Sequence, residues 1–424
     1  MILTEIQTGQ IPEIYEEFSN FVGDKHWKSR VIQLQQDIKG NELLNDHINR
    51  ENSIAFQLES IRELVGDNSG PWKMNNHAIY PAASFAAQAM GIIKASPTNL
   101  AEQFKRRIHG AFRNPDDMRG LRLELSAATH FVNRGLSIAW PEMTNIGTFD
   151  LLVNGLGPHG LEVECKSISE DKGRKIHKRE ALDFYHLVMP HLESVKSSLS
   201  IGLSVVLTVP RRLPTKYSDR MGLAKKVGEH IFLKKSAIFQ DGSSIKINEF
   251  DTNVLKGSNS ASLPKNLRTI IDEITETTNR QAILIGTEAG GALAIVVESA
   301  ADDTFLKAVF DTLSDSAKRQ FSKSRGGMFL TGLQGISSDQ LRSLANQDND
   351  KSQYATALNI RVSEFLNGAN RDHVVGVGFL SENQLLQAEP GVVKTNGLAY
   401  YFPKKDSSLW SDDFSGLFSW STAA

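Results

Sequence analysis

The residues best suited to chemistry lie on the segment Leu161–Ser167, which reads LEVECKS. Its flanking composition is that of a strand, and strand side chains alternate between two faces. Glu162, Glu164 and Lys166 are therefore expected on one face, with small and apolar side chains on the other. Two carboxylates and an ammonium in a row are unusual on a strand that is otherwise built for burial.

Two further acids are expected to approach this row. Asp150 lies in the apolar segment TFDLLV (148–153), and the loop 154–160 can return the chain so that the two strands become antiparallel neighbours. That pairing predicts Asp150 beside Glu164. Glu124 lies on a helix before the first strand, at the edge of its apolar stripe by three- and four-residue spacing. The spacing therefore predicts three carboxylates and one lysine in one place.

Such a cluster favours a hard divalent cation, because Mg²⁺ takes oxygen ligands and retains open positions for water and phosphate. A bound Mg²⁺ or Mn²⁺ would polarise a phosphodiester and lower the pKa of a bound water. Lys166 could orient that water or stabilise the developing negative charge. The simpler alternative is a salt-bridge cluster at a sheet edge, in which Lys166 only neutralises Glu162 and Glu164.

Asp150, thirteen further residues and then Glu164-Cys165-Lys166 resemble the D…(D/E)xK signature of the PD-(D/E)XK, or restriction-endonuclease-like, nuclease superfamily. The resemblance implies that Asp150 and Glu164 are metal ligands and that Glu124 is a further ligand, directly or through water. It also implies that Lys166 is the catalytic lysine and that the main-chain carbonyl of Cys165 completes the metal shell. Phenylalanine precedes Asp150 where the family often has proline.

The elements around the motif are predicted in the order αβββαβα. The first helix begins near Asp116–Asp117 and ends near Asn133. The four strands are expected at Leu136–Trp140, Thr148–Val153, Leu161–Ser167 and Ser204–Val209. A helical stretch over about 175–198 with a break at Pro190 connects the last two strands, and another helix follows at about 217–232.

The resemblance covers roughly residues 101–235, about a third of the chain. We therefore predict an α/β protein with a central αβββαβ restriction-endonuclease-like core. The expected division is a helical N-terminal domain (1–95), the nuclease-like core (96–235) and a mixed α/β C-terminal domain (236–424). Within the last region, Ala282–Glu298 is expected to form a hairpin that turns at the glycines of EAGG.

Basic residues follow the motif directly and are expected to contact the phosphates of a nucleic acid. They are Lys172, Arg174, Lys175, Lys178 and Arg179. A second basic group precedes or lines the first helix, between Lys105 and Arg122. For any single residue, a solvated helix face is an equally good explanation.

Composition excludes other classes. The chain has 47 Lys and Arg against 49 Asp and Glu, so it cannot coat nucleic acid by bulk charge, and binding needs a local patch. A single cysteine excludes a disulfide framework and favours a reducing cytoplasm. No membrane span or secretory signal is expected. No GxxxxGK[ST] motif occurs, so an ATP-dependent motor would have to be a partner chain; a homo-oligomer is the other assembly considered.

The sequence leaves three functions open. The first is a Mg²⁺-dependent nuclease, with DNA favoured over RNA; for it the resemblance implies restriction or anti-phage defence and leaves end- versus internal cleavage undecided. The second is a catalytically inactive nuclease fold that binds nucleic acid or scaffolds a complex. The third is an unrelated α/β enzyme with a small phosphorylated substrate, which would need a narrow closed pocket.

Overall fold

The computed structural model describes residues 6–66, 77–144, 146–256, 267–278, 281–382, 385–389, 392–395 and 397–417. The helices, in chain order, are α1 (Ile11–Val22), α2 (Lys25–Gly40), α3 (Asn45–Glu51), α4 (Ser53–Gly66), α5 (Tyr80–Ala95), α6 (Thr98–Ala111), α7 (Pro115–Asn133), α8 (Pro141–Thr144), α9 (Lys178–Val188), α10 (Glu193–Ser198), α11 (Tyr217–Leu233), α12 (Leu267–Thr275), α13 (Phe305–Arg319), α14 (Ser338–Asn349) and α15 (Ala357–Leu366).

The strands are β1 (Ser137–Ala139), β2 (Leu151–Asn154), β3 (Leu161–Ile168), β4 (Gly202–Val209), β5 (Ala237–Ile238), β6 (Ser244–Phe250), β7 (Gln281–Gly286), β8 (Ala292–Ser299), β9 (Gly326–Leu333), β10 (Val374–Leu380), β11 (Leu385–Glu389), β12 (Val392–Thr395) and β13 (Ala399–Pro403). Short 3₁₀ turns cover Thr8–Gln10, Glu42–Leu44, His77–Ile79, Met189–His191, Thr252–Leu255 and Asp412–Gly416. The chain is therefore of the mixed α/β class, as predicted.

The chain forms two compact units that do not follow the predicted boundaries. The first unit comprises Met1–Gln35, Asn49–Lys172 and Leu306–Ala424, and the second comprises Gln36–Ile48 and Gly173–Phe305. The expected domains 1–95, 96–235 and 236–424 are corrected accordingly. The described part of 1–95 is helical, as expected, but the chain leaves the first unit just after β3 and returns to it at α13.

The first unit contains a six-stranded sheet in the order β1-β2-β3-β9-β10-β13. β2 pairs antiparallel with β1 and with β3, whereas β3 pairs in parallel with β9 from Leu161↔Gly326 to Ile168↔Leu333. β9 pairs in parallel with β10, and β13 closes the edge antiparallel to β10. The connection from β3 to β9 thus contains the larger segment of the second unit, Gly173–Phe305, as well as α13.

The predicted fourth strand of the core, Ser204–Val209, does not belong to this sheet. It forms β4, which lies in the five-stranded sheet of the second unit in the order β5-β6-β4-β8-β7. β4 and β9 are both buried along nearly their whole length, with the same pattern of exposure. A buried run predicts a central strand but cannot specify its partner, and proximity in sequence favoured the wrong one.

Short sequence patterns predicted the ends and breaks of individual elements better than they predicted which distant strands pair. In α7, Asn114 caps the helix through the backbone of Asp116, and Pro115 takes the first position. Gly135, with φ +79°, ends the turn after Asn133. The predicted break at Pro190 is confirmed, because a 3₁₀ turn separates α9 from α10. The hairpin predicted within Ala282–Glu298 is β7 paired with β8.

α7 connects two cores of the first unit and thereby fixes the position of its acid. Leu121 and Leu125 pack into the core formed by the N-terminal helices, which also holds Trp27. Ala128 and Phe131 pack against β2, β3 and β9. None of the helices in the described ranges is long and apolar enough to cross a membrane.

Candidate active site

Asp150 and Glu164 lie side by side. The register of β2 against β3 pairs Leu151 with Val163, so Asp150, directly before β2, falls opposite Glu164. The Asp150 carboxylate also contacts the backbone of β3: its Oδ2 accepts a hydrogen bond of 2.7 Å from the Cys165 amide. This neighbourhood is the one that the alternation of TFDLLV and LEVECKS predicted.

Glu164 is a buried carboxylate with little local compensation. It is 1% exposed, and neither of its oxygens has a hydrogen-bond partner of acceptable geometry among the described residues. The Lys166 ammonium lies 2.5 Å from Oε1. The pKa of Glu164 is raised to about 8. Burial is the largest cause, the negative charges of Asp150 and Glu124 act in the same direction, and Lys166 offsets only part of the increase. The metal-free site therefore disfavours a charge on Glu164.

Glu124 belongs to the same electrostatic neighbourhood. It is 4% exposed, and its negative charge raises the pKa of both Glu164 and the Cys165 thiol. Arg107 on α6 forms an ion pair with Glu124. The sequence predicts Glu124 at the edge of an apolar stripe and shows Arg107 only as one of several basic residues. No periodicity within one helix could have paired them, because α6 and α7 are separate helices.

Cys165 contributes its main chain rather than its thiol. The side chain is buried on the opposite face, and burial raises its pKa well above its ordinary value, so the thiol is a poor nucleophile or ligand. The amide hydrogen points to Asp150. Since the N–H and C=O of one strand residue face the same edge, the Cys165 carbonyl also faces the Asp150 side.

Glu162 shares a face with Glu164 but has different surroundings. It is fully buried and accepts hydrogen bonds from the Ser322 amide at 2.8 Å and from the Ser322 hydroxyl. The Arg325 guanidinium lies 3.3 Å from Oε1. Glu162 therefore joins β3 to the connection between α13 and β9. These partners lie about 160 residues away in the sequence, so no local sequence pattern could indicate them.

The predicted nucleic-acid contacts are divided between the two units. Lys172 is the last residue of its segment of the first unit, which also holds the carboxylates. The other four residues of the group belong to the second unit: Arg174, Lys175, Lys178 and Arg179. The expectation that they hold the substrate backbone stays a prediction.

Arg174 and Arg179 of this group have acidic partners. The Arg174 guanidinium lies 3.2 Å from the Asp303 carboxylate, and Arg179 lies 3.1 Å from the Asp37 carboxylate. Such pairing lowers the net positive charge that a phosphate would meet. The second predicted basic group is also partly compensated, since Arg119 pairs with Glu51.

The donor set at β3 fits a hard cation in kind but is not a closed cage. Within the described ranges, no group of three or more His, Cys, Asp or Glu side chains is arranged to hold a metal ion. Two adjacent carboxylates remain, and the buried Glu164 oxygens have only the Lys166 ammonium as a close polar partner among the described residues. A cation would compensate those oxygens, with waters filling the other positions. Asp150, Glu164 and the Cys165 carbonyl are thus the residues that fit Mg²⁺ or Mn²⁺.

Comparisons with known proteins gave no relative. No family model matches the chain, no curated protein matches it, and no solved structure matches it.

Proposed function

We propose that this chain is a metal-dependent nuclease that hydrolyses phosphodiester bonds of nucleic acid, with DNA preferred over RNA and Mg²⁺ preferred over Mn²⁺. One observation carries the proposal. Asp150 and Glu164 lie side by side on antiparallel strands with Lys166 on the same face. The Glu164 oxygens are buried, and apart from the Lys166 ammonium near Oε1 no described residue gives them a well-oriented hydrogen bond. A cation-binding role accounts for a buried carboxylate in this state, because structure alone would favour a neutral side chain there.

The topology of the first unit supports the same proposal. Apart from the four-residue helix α8 between β1 and β2, its elements α7, β1, β2, β3, α13 and β9 follow the order αβββαβ, with β3 and β9 parallel. This is the order of the PD-(D/E)XK core to which the sequence motif is similar. In this proposal β9 is the fourth strand of that core, and the larger segment of the second unit, Gly173–Phe305, is an insertion between its third strand and second helix.

Asp150, Glu164 and the Cys165 carbonyl would hold the cation. When bound, Mg²⁺ supplies Lewis-acid polarisation of the phosphodiester and lowers the pKa of a coordinated water. Lys166 is 21% exposed at its side chain and lies on the same face as Glu164, so its ammonium can donate hydrogen bonds to the attacking water or to the phosphate. Glu124, which forms an ion pair with Arg107, adds negative charge that acts on Glu164.

A non-catalytic nuclease fold is the second candidate, and the ion pairs favour it. Lys166 forms an ion pair with Glu164, and Arg107 forms one with Glu124. Both of these glutamates therefore have a cationic neighbour within the chain. If these pairs persist in solution, the cluster is a structural salt-bridge network. The two candidates differ in whether a divalent cation displaces this internal compensation.

The deciding experiment is a cleavage assay on the full chain. Supercoiled plasmid, linear duplex, single-stranded DNA and RNA are incubated with Mg²⁺, Mn²⁺ or a chelator, using the wild type, Asp150→Asn and the control Asp303→Asn. We expect cleavage that requires metal, is lost in Asp150→Asn and is retained in the control. Nucleic-acid binding without cleavage in either metal would favour the non-catalytic candidate.

Restriction or anti-phage defence is the cellular role that the similarity to the family suggests. A requirement for a partner, such as an ATP-dependent motor chain or a second copy of this chain, is part of the same proposal. Phage plating on cells that express the wild type or Asp150→Asn tests the role directly: protection by the wild type alone supports it.

A further inference from the structure

One exposed surface of the second unit is strongly basic. The loop after β4 and the first turn of α11 contain Arg211, Arg212, Lys216 and Arg220, against one acid within the same ten residues. The first three are exposed and Arg220 is partly buried. Tyr217, at the start of α11, is 61% exposed. We refer to these five residues as the 211–220 surface.

The positive charges of this surface are not compensated within the described chain. None of the four basic side chains lies within 4.0 Å of a described carboxylate. The neighbouring Asp219 is instead contacted by the Ser218 hydroxyl at 3.2 Å. Arg174 and Arg179, which follow the motif, each have an acidic partner. In a chain of net charge −2, the 211–220 surface is therefore a local positive field.

We infer that the 211–220 surface binds the phosphate backbone of nucleic acid, with Tyr217 stacking on an unpaired base. This inference rests on the proposed function, since it names where that substrate is held. Arginine guanidinium groups and lysine ammonium groups pair with phosphates without reading sequence. An exposed aromatic ring among such groups provides the stacking platform of single-strand binding sites. The surface thus favours substrates with a single-stranded segment or end.

The rest of α11 argues against a lipid surface as the ligand. Its apolar side chains, including Leu223, Val227 and Ile231, pack into the core of the second unit. Its exposed apolar side chains are confined to its two ends: Tyr217 and Met221 lie in the first turns, and Phe232 and Leu233 lie in the last. The helix therefore lacks the continuous apolar face that lies in a membrane interface. The exposed Phe232 is at the other end of the helix, about 22 Å from Tyr217 at 1.5 Å per residue.

The test measures binding in chelator, so that cleavage plays no part. A labelled single-stranded oligonucleotide and a duplex are titrated over a salt series with the full chain. The variant carries Arg211→Ala, Arg212→Ala and Lys216→Ala. The matched control removes three ion-paired lysines of the same unit, by Lys196→Ala, Lys234→Ala and Lys246→Ala. Circular dichroism confirms that both variants fold.

We expect the variant, and not the control, to flatten the slope of log K against log salt. The change is up to about 2 for the single strand and about 2.7 for the duplex, from roughly 0.7 and 0.9 per phosphate contact. Tyr217→Ala should weaken single-strand binding about 5- to 150-fold and leave the affinity for the duplex nearly unchanged. Tyr217→Phe, which keeps the aromatic ring, should bind the single strand as the wild type does.

The failures of the two proposals are distinguishable. Equal slopes in the variant and its control overturn the 211–220 surface, even if the wild type cleaves nucleic acid in Mg²⁺. Loss of binding in the variant without cleavage by the wild type overturns the nuclease and leaves the surface standing. Failure to bind either oligonucleotide, with sedimentation on phosphatidylserine vesicles that the variant loses, assigns the surface to anionic lipid and overturns the inference.

Discussion

Glu162 and Glu164 face the same way on one strand, two residues apart, and both are almost fully buried. Glu162 has two hydrogen bonds from Ser322 and an ion pair with Arg325. Glu164 has another carboxylate beside it, an ammonium near one oxygen and no hydrogen bond of good geometry to a described residue. The surroundings of Glu162 therefore stabilise the fold. The burial of Glu164, two residues further along β3, lowers stability and needs a functional explanation.

The largest expected effect separates the two acids by activity. Glu164→Gln should lower cleavage by about three orders of magnitude, because metal coordination supplies several kcal/mol of charge stabilisation. Glu162→Gln, a change of the same shape on the same strand, should keep activity within about tenfold. Steady-state cleavage rates at saturating Mg²⁺ measure both. Equal losses in the two variants would break the comparison.

Lys166→Met is expected to lower cleavage by about a hundredfold, the usual scale for losing one preorganised donor. The variant keeps the length of the side chain and removes its charge. Because Lys166 lowers the pKa of Glu164, its loss should also shift metal loading to higher pH. Lys94→Met, which removes a surface lysine paired with Glu17, is the control. Unchanged turnover in Lys166→Met would make this lysine a charge neutraliser only.

The two acids should affect stability with opposite signs. Glu162→Gln loses charge-assisted hydrogen bonds and leaves Arg325 less compensated, which should cost about 1–3 kcal/mol of unfolding free energy. Glu164→Gln removes a buried carboxyl that Lys166 compensates only in part and should leave the metal-free protein equally or more stable. Urea denaturation followed by circular dichroism gives both values. Destabilisation of similar size in both variants would mean that Glu164 is also structural.

The same difference has a pH signature. The pKa of Glu164 is raised in the folded chain to about 8, so the folded state holds a proton that the unfolded state has lost. The resulting stabilisation is complete below the ordinary carboxyl pKa and is lost as pH rises towards 8. The metal-free wild type should therefore lose stability over this window relative to Glu164→Gln. Parallel pH profiles of the two proteins would contradict the raised pKa.

Glu124→Gln should have the smallest effect, about tenfold on turnover or on metal affinity. Glu124 acts through its charge on Glu164 rather than as a shown ligand, and Arg107 already compensates part of that charge. Arg107→Gln should shift the pH dependence of metal binding upwards, because Glu124 then raises the pKa of Glu164 more. Magnesium titrations at several pH values measure the shift; loss of all metal binding in Glu124→Gln would make it a direct ligand.

The sequence predicted what depends on short distances along the chain. Alternation on LEVECKS and TFDLLV placed Asp150 beside Glu164, and the ends predicted for the first helix, near Asp116–Asp117 and Asn133, agree with α7. Interactions between distant segments could not be predicted. Ser322 lies 160 residues from Glu162, and β9 is a partner of β3 only because the chain passes through a second unit in between. β4 had the same buried pattern and was nearer in sequence.

The most direct test of the account is a Mn²⁺ titration followed by electron paramagnetic resonance at about pH 8 and about pH 6. The wild type and Glu162→Gln should each bind one Mn²⁺, more weakly at the lower pH because a proton competes for Glu164. Asp150→Asn and Glu164→Gln should bind none at that site. Wild-type Mn²⁺ affinity in Glu164→Gln, or loss of the ion in Glu162→Gln, would contradict the assignment of the metal to Glu164 rather than to Glu162.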